Sequence, residues 1–542
     1  MKTKLLDCTL RDGGFINDWY FGQYTILSIF QRLVNAGIDN IEIGFMDDRN
    51  AFNIQRSMNP KSENFEELFK GKQKGNSKVF AMIDYGTCDI SNVDDHTENS
   101  FIDGIRVIFK KKDIDGALAF CKQLQDKGYL ISVNPVSITT YSDMDMLKLV
   151  EKINVLNPYT MSMVDTYGLM HSENMLKYFY LIDNNLNENI NIGYHSHNNF
   201  QLAYANSIEL MNIKTNRTLI IDGSLYGMGK GAGNACIELL AMYVNENYNG
   251  KYDISELLEA IDIDILKIKE KYNWGYAVPA YIAALNDCHP KYVNYLRDKN
   301  TLSTKSINEI LKNIDEDKKL TFHKDHIEKL YLEYQKRDID DSEAIAKLRD
   351  ELRSKNILML GPGRSIVKQK DKILNYIETH KPVVLSINHV SNIYNPDYVF
   401  ISNMKRYEHY ANIFINKQNP FKIIATSNIT PFNDEFDFVL NYGKLINSDD
   451  LTQGNSMSMM LELFKDIGIK KISMAGFDGY SPNKTNYYDD YLSFSHDDKD
   501  KLLFNEAIAK QIQVLRNCID IEFLTESMYE KTNTKEKEPA LR

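Results

Sequence analysis

The sequence predicts an α/β protein in which an N-terminal (β/α)8 (TIM) barrel is followed by a helical extension and a C-terminal Rossmann-like α/β domain. Three observations predict it. The chain has 542 residues, too many for one ordinary core, so two or three domains are expected. Between residue 1 and about 265, eight short apolar runs alternate with amphipathic stretches, which is the arithmetic of a barrel. Polar residues fall at the C-terminal ends of those runs: Arg11 and Asp12, Glu42, Asp84, Asn134, Asp165 and Thr166, His195 and His197. That end of a barrel is where active sites are built. An open doubly wound sheet would use five to seven strands and is the alternative; strand count and polar placement together favour the barrel.

Taken in order, the predicted barrel strands are 4–9, 40–45, 79–85, 104–109, 130–136, 160–165, 190–197 and 218–224. Each is a short apolar run bounded by polar or glycine residues. Amphipathic helical patterns cover 23–35, 114–127, 144–156, 172–185 and 201–211. From 266 to 353 the chain is helical and charged, without strand alternation, and contains the aromatic run 272–276. A second α/β unit over 354–528 opens with the buried strand 356–360, which ends in Gly361-Pro362-Gly363-Arg364-Ser365. Further strands are expected at 382–387, 398–401, 422–425, 471–475 and 520–524, with helices at 369–379, 456–467 and 503–516. The final stretch, 529–542, is polar and expected to be a disordered tail.

Composition narrows the function classes. An apolar fraction of 43% and a charged fraction of 26% are those of a soluble globular protein. A net charge of −11 argues against nucleic acid or anionic lipid as partner. The six cysteines show no CxxC spacing, so neither a zinc knuckle nor a disulfide framework is expected. The opening Met1-Lys2-Thr3-Lys4 leads straight into a predicted strand, so no apolar leader is expected, and no stretch approaches the roughly 18 to 20 apolar residues of a membrane span. A cytoplasmic location is expected.

The chemistry-bearing residues form two groups. His195 and His197 alternate on one predicted strand, so both imidazoles point the same way. With a carboxylate they suit a divalent ion, leaving positions open for substrate oxygens. Asp12 offers that carboxylate from another strand end, and Arg11 beside it can neutralise a developing enolate oxygen. The glycine-rich stretch from Asp222 to Asn234 follows the eighth strand. Its backbone amides could line the same mouth, and Asn234 could orient a ligand.

Thr9-Leu10-Arg11-Asp12-Gly13, His195-Ser196-His197 and Gly227-Met228-Gly229-Lys230-Gly231-Ala232-Gly233-Asn234 together resemble the metal-dependent DRE-TIM barrels of the 3-hydroxy-3-methylglutaryl-CoA lyase group. Within that group the resemblance is to 4-hydroxy-2-oxovalerate aldolase, over residues 1 to about 290. It implies a divalent metal, Mn2+, Mg2+ or Zn2+. It also implies aldol-type C–C bond formation or cleavage on pyruvate or another 2-oxo acid through a metal-bound enolate. Carried over, Asp12, His195 and His197 are ligands, Asn234 an assisting ligand, and Arg11 the enolate stabiliser. Glu42, Asn134 and Thr166 are expected to meet substrate. One departure is visible: those aldolases place a catalytic histidine just after the Arg-Asp-Gly triplet, where this chain has Gly14-Phe15. Tyr281 is the expected counterpart of a tyrosine that serves those enzymes, with Tyr276 second, and His289 is the candidate replacement for the missing base.

The second group is Gly361, Gly363 and Ser365 at a tight turn after a buried strand, with Asn388, Asn403 and Ser456 at later strand and helix ends. Convergence of such ends on one sheet edge is the layout of a nucleotide crevice. This half resembles the Rossmann-like sialyltransferases of bacterial surface-glycan loci, and His496 matches their phosphate-contacting histidine. The resemblance implies a cytidine nucleotide or nucleotide sugar as ligand. The expected whole is a bifunctional enzyme of bacterial surface-glycan biosynthesis, such as capsule or lipopolysaccharide. Its partners are a 2-oxo acid, an aldehyde or sugar, and a nucleotide-linked sugar; a homo-oligomer is compatible. The alternatives are an acyl-CoA-dependent condensing synthase, and a non-catalytic nucleotide-binding or assembly protein with a degenerate barrel.

Overall fold

The computed structural model describes residues 2–299, 302–319, 321–335, 339–415, 420–431, 433–446, 452, 454–481, 486–489 and 498–533. The chain divides into two compact units, Met1–Pro290 and Lys291–Arg542.

The first unit is a closed parallel barrel. Its strands are β1 (Lys2–Asp7), β2 (Asn40–Met46), β3 (Lys78–Asp84), β4 (Gly104–Phe109), β5 (Leu130–Pro135), β6 (Thr160–Asp165), β7 (Asn191–Ser196) and β8 (Thr218–Gly223). Each pairs with its sequence neighbours, and β1 pairs with both β8 and β2 to close the ring. A two-residue strand, Met58–Asn59, adds outside β2. Strands enclosed on both faces must be apolar almost throughout, and all seven residues of β2 are buried. The helix Gln23–Asn35 shows the complementary logic: Ile26, Ile29, Phe30 and Leu33 fall on one face and are buried. Each such side chain contributes about 1.5 to 3 kcal/mol on burial.

The first strand ends earlier than its apolar pattern predicts. Asp7 accepts hydrogen bonds from Thr9 N at 2.9 Å and Thr9 Oγ1 at 2.8 Å. This local bonding turns the chain into a short helix, Thr9–Asp12, so Arg11 and Asp12 stand on a helical turn rather than on the strand-to-loop turn expected. The seventh strand likewise stops at Ser196, and His197 instead forms an isolated antiparallel bridge with Asn234.

The second unit carries one all-parallel sheet. Its strands are β9 (Ile357–Leu360), β10 (Val383–Ile387), β11 (Tyr398–Ile401), β12 (Lys422–Thr426), β13 (Phe438–Leu440), β14 (Lys471–Ala475) and β15 (Asp520–Phe523). The order across the sheet is β13-β12-β11-β10-β9-β14-β15, so strand order reverses between β9 and β14. Such a reversal opens a crevice at the C-terminal strand ends. Strand β13, only three residues long, the helix Met404–Phe414, capped by Asn403, and the four-residue helices Ser365–Lys368 and Tyr442–Leu445 went unpredicted. The helices Thr304–Leu311, Lys324–Gln335 and Ser342–Leu352 precede the sheet. No described helix is long and apolar enough to cross a membrane.

Candidate active site

At the C-terminal mouth of the barrel, ligand atoms of Asp12, His195 and His197 lie within 4.8 Å of one another, and all three residues are buried. Alternation along the strand end points both imidazoles into the barrel. Asp12 comes from the turn after β1. Its Oδ2 lies 3.9 Å from His197 Nδ1 and accepts Asn234 Nδ2 at 2.8 Å and Lys230 N at 3.2 Å. Its Oδ1 accepts Arg11 Nη1 at 2.6 Å. Burial raises the Asp12 pKa, but His197 and Arg11 outweigh it and hold the carboxyl well below its usual range. Burial pushes the His197 imidazole down to about 4, so it is neutral at physiological pH, the form that ligates a metal.

The donor set fits a divalent ion. His197 Nδ1 and Asn234 Oδ1 are buried without a hydrogen-bond partner. A native structure seldom leaves such atoms unsatisfied without a ligand or water to meet them. His195 turns its Nδ1 to Asp222 Oδ2 at 3.1 Å, which leaves Nε2 for the shared centre; metal-ligating histidines are oriented in this way. Asp12, His195 and His197, with the Asn234 amide oxygen beside them, are the residues that would hold the ion.

The glycines of the loop before Asn234 are needed for close approach. A Cβ on Gly229 would stand 2.3 Å from Asn234 Nδ2 and 2.5 Å from Asp12 Oδ2. At Gly233 (φ +81°) it would stand 1.9 Å from Gly227 O. Asn198 N donates to Gly233 O at 2.8 Å, fastening the loop to the strand end that carries the histidines.

Beneath the cluster lies a buried ionic chain. Arg11 Nε donates to Glu42 Oε2 at 2.7 Å. Arg106 pairs with Glu42 Oε2 at 3.0 Å and with Asp222 Oδ2 at 2.5 Å. Neither Arg106 nor Asp222 was singled out as a site residue in the sequence. The available signal was a lone arginine inside the otherwise apolar Gly104–Phe109. Glu42 therefore spends Oε2 on two guanidiniums. Asn134 sits on β5, with its amide against Ser132 and, in the orientation that satisfies both ends, accepting from Arg106 Nη2 at 3.1 Å. Thr166 Oγ1 accepts Ser137 N at 2.7 Å.

One wall of the mouth is aromatic. Phe15, exposed, lies 4.8 Å from Trp19 and 6.1 Å from Phe45 between ring centroids. Lys230 Nζ stands 5.5 Å from the Phe15 ring. Trp19 holds a left-handed backbone (φ +57°), and its Nε1 donates to Arg11 O at 2.7 Å. This non-glycine strain beside Arg11 is of the kind concentrated at functional sites. Tyr281, on the helix Val278–Leu285, packs 6.0 Å from Phe200. His289 is half-buried just before the helix Pro290–Asp298 and is not among the converging ligand atoms.

In the second unit a cleft of about 240 Å³ opens where the strand order reverses, and Gly363, Asn388, Asn403 and Ser456 all line it. Gly361 and Ser365 are not in the lining. A Cβ on Gly361 would meet Gly476 O at 2.6 Å, and Ser365 N donates to Asp478 Oδ2 at 2.9 Å. Asn388 Nδ2 donates to Ser456 Oγ at 2.5 Å, and Asn403 and Asn455 cap the two helices that begin at the cleft. Arg406, Tyr480 and Tyr487 complete it; Tyr480 belongs to the run 468–480 and Tyr487 is one of two tyrosines, with Tyr488, that the sialyltransferase resemblance marks, whereas Arg406 was not foreseen. Arg406 is nearly buried and lies 5.7 Å from the Tyr487 ring. His496 lies outside the described residues.

Comparison with known proteins finds matches to about half of the chain. Residues 88–263 match the family described as HMGL-like. The oxaloacetate decarboxylase of Mycobacterium tuberculosis is 25% identical over 265 residues, covering 48% of this chain and 76% of that protein. The 4-hydroxy-2-oxovalerate aldolase of Chloroflexus aurantiacus is 25% identical over 275 residues, covering 49% and 76%. A solved structure of HMG-CoA lyase from Brucella melitensis is 13% identical with a TM-score of 0.39, spanning 50% of this chain and 99% of that one. Within the N-terminal unit, residues 88–263 are thus similar to the HMGL-like family, and an aldolase and a decarboxylase are among the relatives. These alignments span about half of the chain.

Proposed function

We propose that the barrel is a divalent-metal-dependent C–C lyase that forms or cleaves a C–C bond at the carbon adjacent to the oxo group of a 2-oxo acid, with pyruvate or its enolate as the retained half. The observation that supports this most is the convergence of Asp12, His195 and His197 beside Arg11 at the C-terminal mouth. When bound, a divalent cation supplies Lewis-acid stabilisation of charge developing on the substrate. Arg11 Nη1 and Nε are held by Asp12 and Glu42. Its planar fork thereby keeps Nη2 for an anionic oxygen, a fixed donor needing no reorganisation. The aromatic wall of Phe15, Trp19 and Phe45 excludes water from that oxygen, which strengthens the electrostatic term. Tyr281 is the proposed proton carrier, with His289 as second choice, and Thr166 offers a hydroxyl proton at the rim.

A second reaction of the same class, decarboxylation of a 2-oxo dicarboxylate, is favoured by Phe15. Aldol cleavage needs a base to take the hydroxyl proton, whereas loss of CO2 starts without one. An apolar wall is suited to a carboxylate that leaves as a neutral molecule. The test is pyruvate release from 4-hydroxy-2-oxovalerate and from oxaloacetate, with Mn2+, Mg2+ or Zn2+ and after chelation. Release from neither substrate with any of the three ions would refute the lyase reading.

For the second unit we propose a site for a nucleotide or nucleotide-linked sugar, serving surface-glycan synthesis by glycosyl transfer or by presenting substrate. The cleft at the strand-order reversal supports it, with Gly363, Asn388, Asn403, Ser456 and Arg406 in its lining. Calorimetric titration with CMP and with UDP tests it; no saturable heat with either would remove it.

A further inference from the structure

Resting on the barrel reading above, we propose that Arg106 is a positioning residue that sets both halves of the site at once, the orientation of His195 and the orientation of Arg11. Its guanidinium is almost completely buried at the centre of β4. One side of the fork meets Asp222 Oδ2 at 2.5 Å, and that oxygen is the one that holds His195 Nδ1 at 3.1 Å. The other side lies 3.0 Å from Glu42 Oε2, the oxygen that accepts Arg11 Nε at 2.7 Å. Arg11 Nη1 then closes on Asp12 Oδ1 at 2.6 Å. The result is a buried chain of alternating charge, running Asp12, Arg11, Glu42, Arg106 and Asp222, that ends on the His195 imidazole, with the ligand cluster as its closing link.

Only a planar two-ended cation can make both contacts; an ammonium is a single point charge and cannot span them. Without the guanidinium, Glu42 and Asp222 become two buried carboxylates with their shared counter-charge gone. Such groups shift or take up protons rather than stay in place. His195 then loses the fixed acceptor that selects its ring orientation, and Arg11 loses the fixed anion that aims its fork. Outer partners of this kind, when replaced, typically cost about 10- to 100-fold in metal affinity.

The experiment compares the full-length wild type with Arg106→Lys, Arg106→Gln and Asp222→Asn. Each is stripped of metal and titrated with Zn2+ by chelator competition and with Co2+ by its visible absorption. Circular dichroism checks that each variant is folded. Arg106→Lys and Asp222→Asn are each expected to weaken binding about 10- to 100-fold and to alter the Co2+ bands. The Arg106→Lys/Asp222→Asn double variant should bind metal little worse than either single one, because both act on the ion through His195. Glu42→Gln should weaken metal binding less than Asp222→Asn, whose carboxylate contacts His195 directly, while lowering turnover through Arg11. A folded Arg106→Lys protein with wild-type affinity and wild-type Co2+ bands would overturn the proposal. Should Arg106→Gln fail to fold, Arg106→Lys and Asp222→Asn still decide it. A wild type that binds neither ion removes the barrel reading itself, which is a different result.

Discussion

Asn234 Nδ2 donates to Asp12 Oδ2 at 2.8 Å across 222 residues of chain. That bond joins the turn after the first barrel strand to the loop after the eighth, and closes the site where the barrel closes. The amide oxygen of Asn234 is left buried without a partner. Asn234→Ala is therefore expected to lower affinity for Zn2+ or Mn2+ about 10- to 100-fold. Metal content after dialysis against a graded chelator series checks this; unchanged retention would place Asn234 outside the ligand shell.

Gly229 faces the same pair. Its Cβ would stand 2.3 Å from Asn234 Nδ2 and 2.5 Å from Asp12 Oδ2, so Gly229→Ala must displace one of them. Overpacking of this kind costs about 1 to 3 kcal/mol of stability. The larger expected effect is on metal affinity, which should fall at least tenfold in the same dialysis series. A Gly229→Ala protein of lowered melting temperature but full metal content would contradict the arrangement described.

Much of this was legible in the sequence. Short apolar runs between amphipathic stretches located the eight strands, and alternation alone put His195 and His197 on one side. The ionic chain under the cluster was not legible, because a lone Arg106 in an apolar strand does not disclose that it meets Glu42 and Asp222. Those contacts depend on barrel closure, a long-range property. Asp7 lay in an apparent strand extension, and only its local bonds to Thr9 reveal that the strand ends there. In the second unit, Phe438–Leu440 was too short to show a pattern, and Arg406 entered the cleft through a helix start that the sequence did not mark.

Asp7 gives a pH prediction. Burial pushes its carboxyl up to about 7, against smaller lowering by its bonds from Thr9. The folded protein thus keeps a proton that the unfolded chain releases near its ordinary value of about 4. Between those values the folded state binds more protons, so stability falls as pH rises, by a few kcal/mol in all. Asp7→Asn removes that titration. Its melting temperature relative to wild type should climb between pH 4 and pH 8; parallel curves would contradict the assignment.

Phe15 stands in the aromatic wall, where the resemblance to the aldolases implies a histidine. Phe15→His should leave metal affinity unchanged and raise aldol cleavage of 4-hydroxy-2-oxovalerate at least tenfold, since a placed general base is worth about 10²- to 10⁴-fold. Decarboxylation of oxaloacetate should fall, as the wall becomes polar. Rates on the two substrates, measured side by side, check it; equal changes in both would show that Phe15 does not select between them.

The central claim is that Asp12, His195 and His197 hold a divalent ion that, with Arg11, makes the carbon next to a 2-oxo group acidic. Exchange of the pyruvate methyl protons in D2O, followed by NMR on protein loaded with Mg2+ or Zn2+, tests it most directly. Loaded wild type should exchange them, chelated protein should not, and Asp12→Ala with His195→Ala should neither retain metal nor exchange. A loaded wild type that never exchanges the methyl protons, or a double variant that exchanges them as fast as wild type, would contradict the claim.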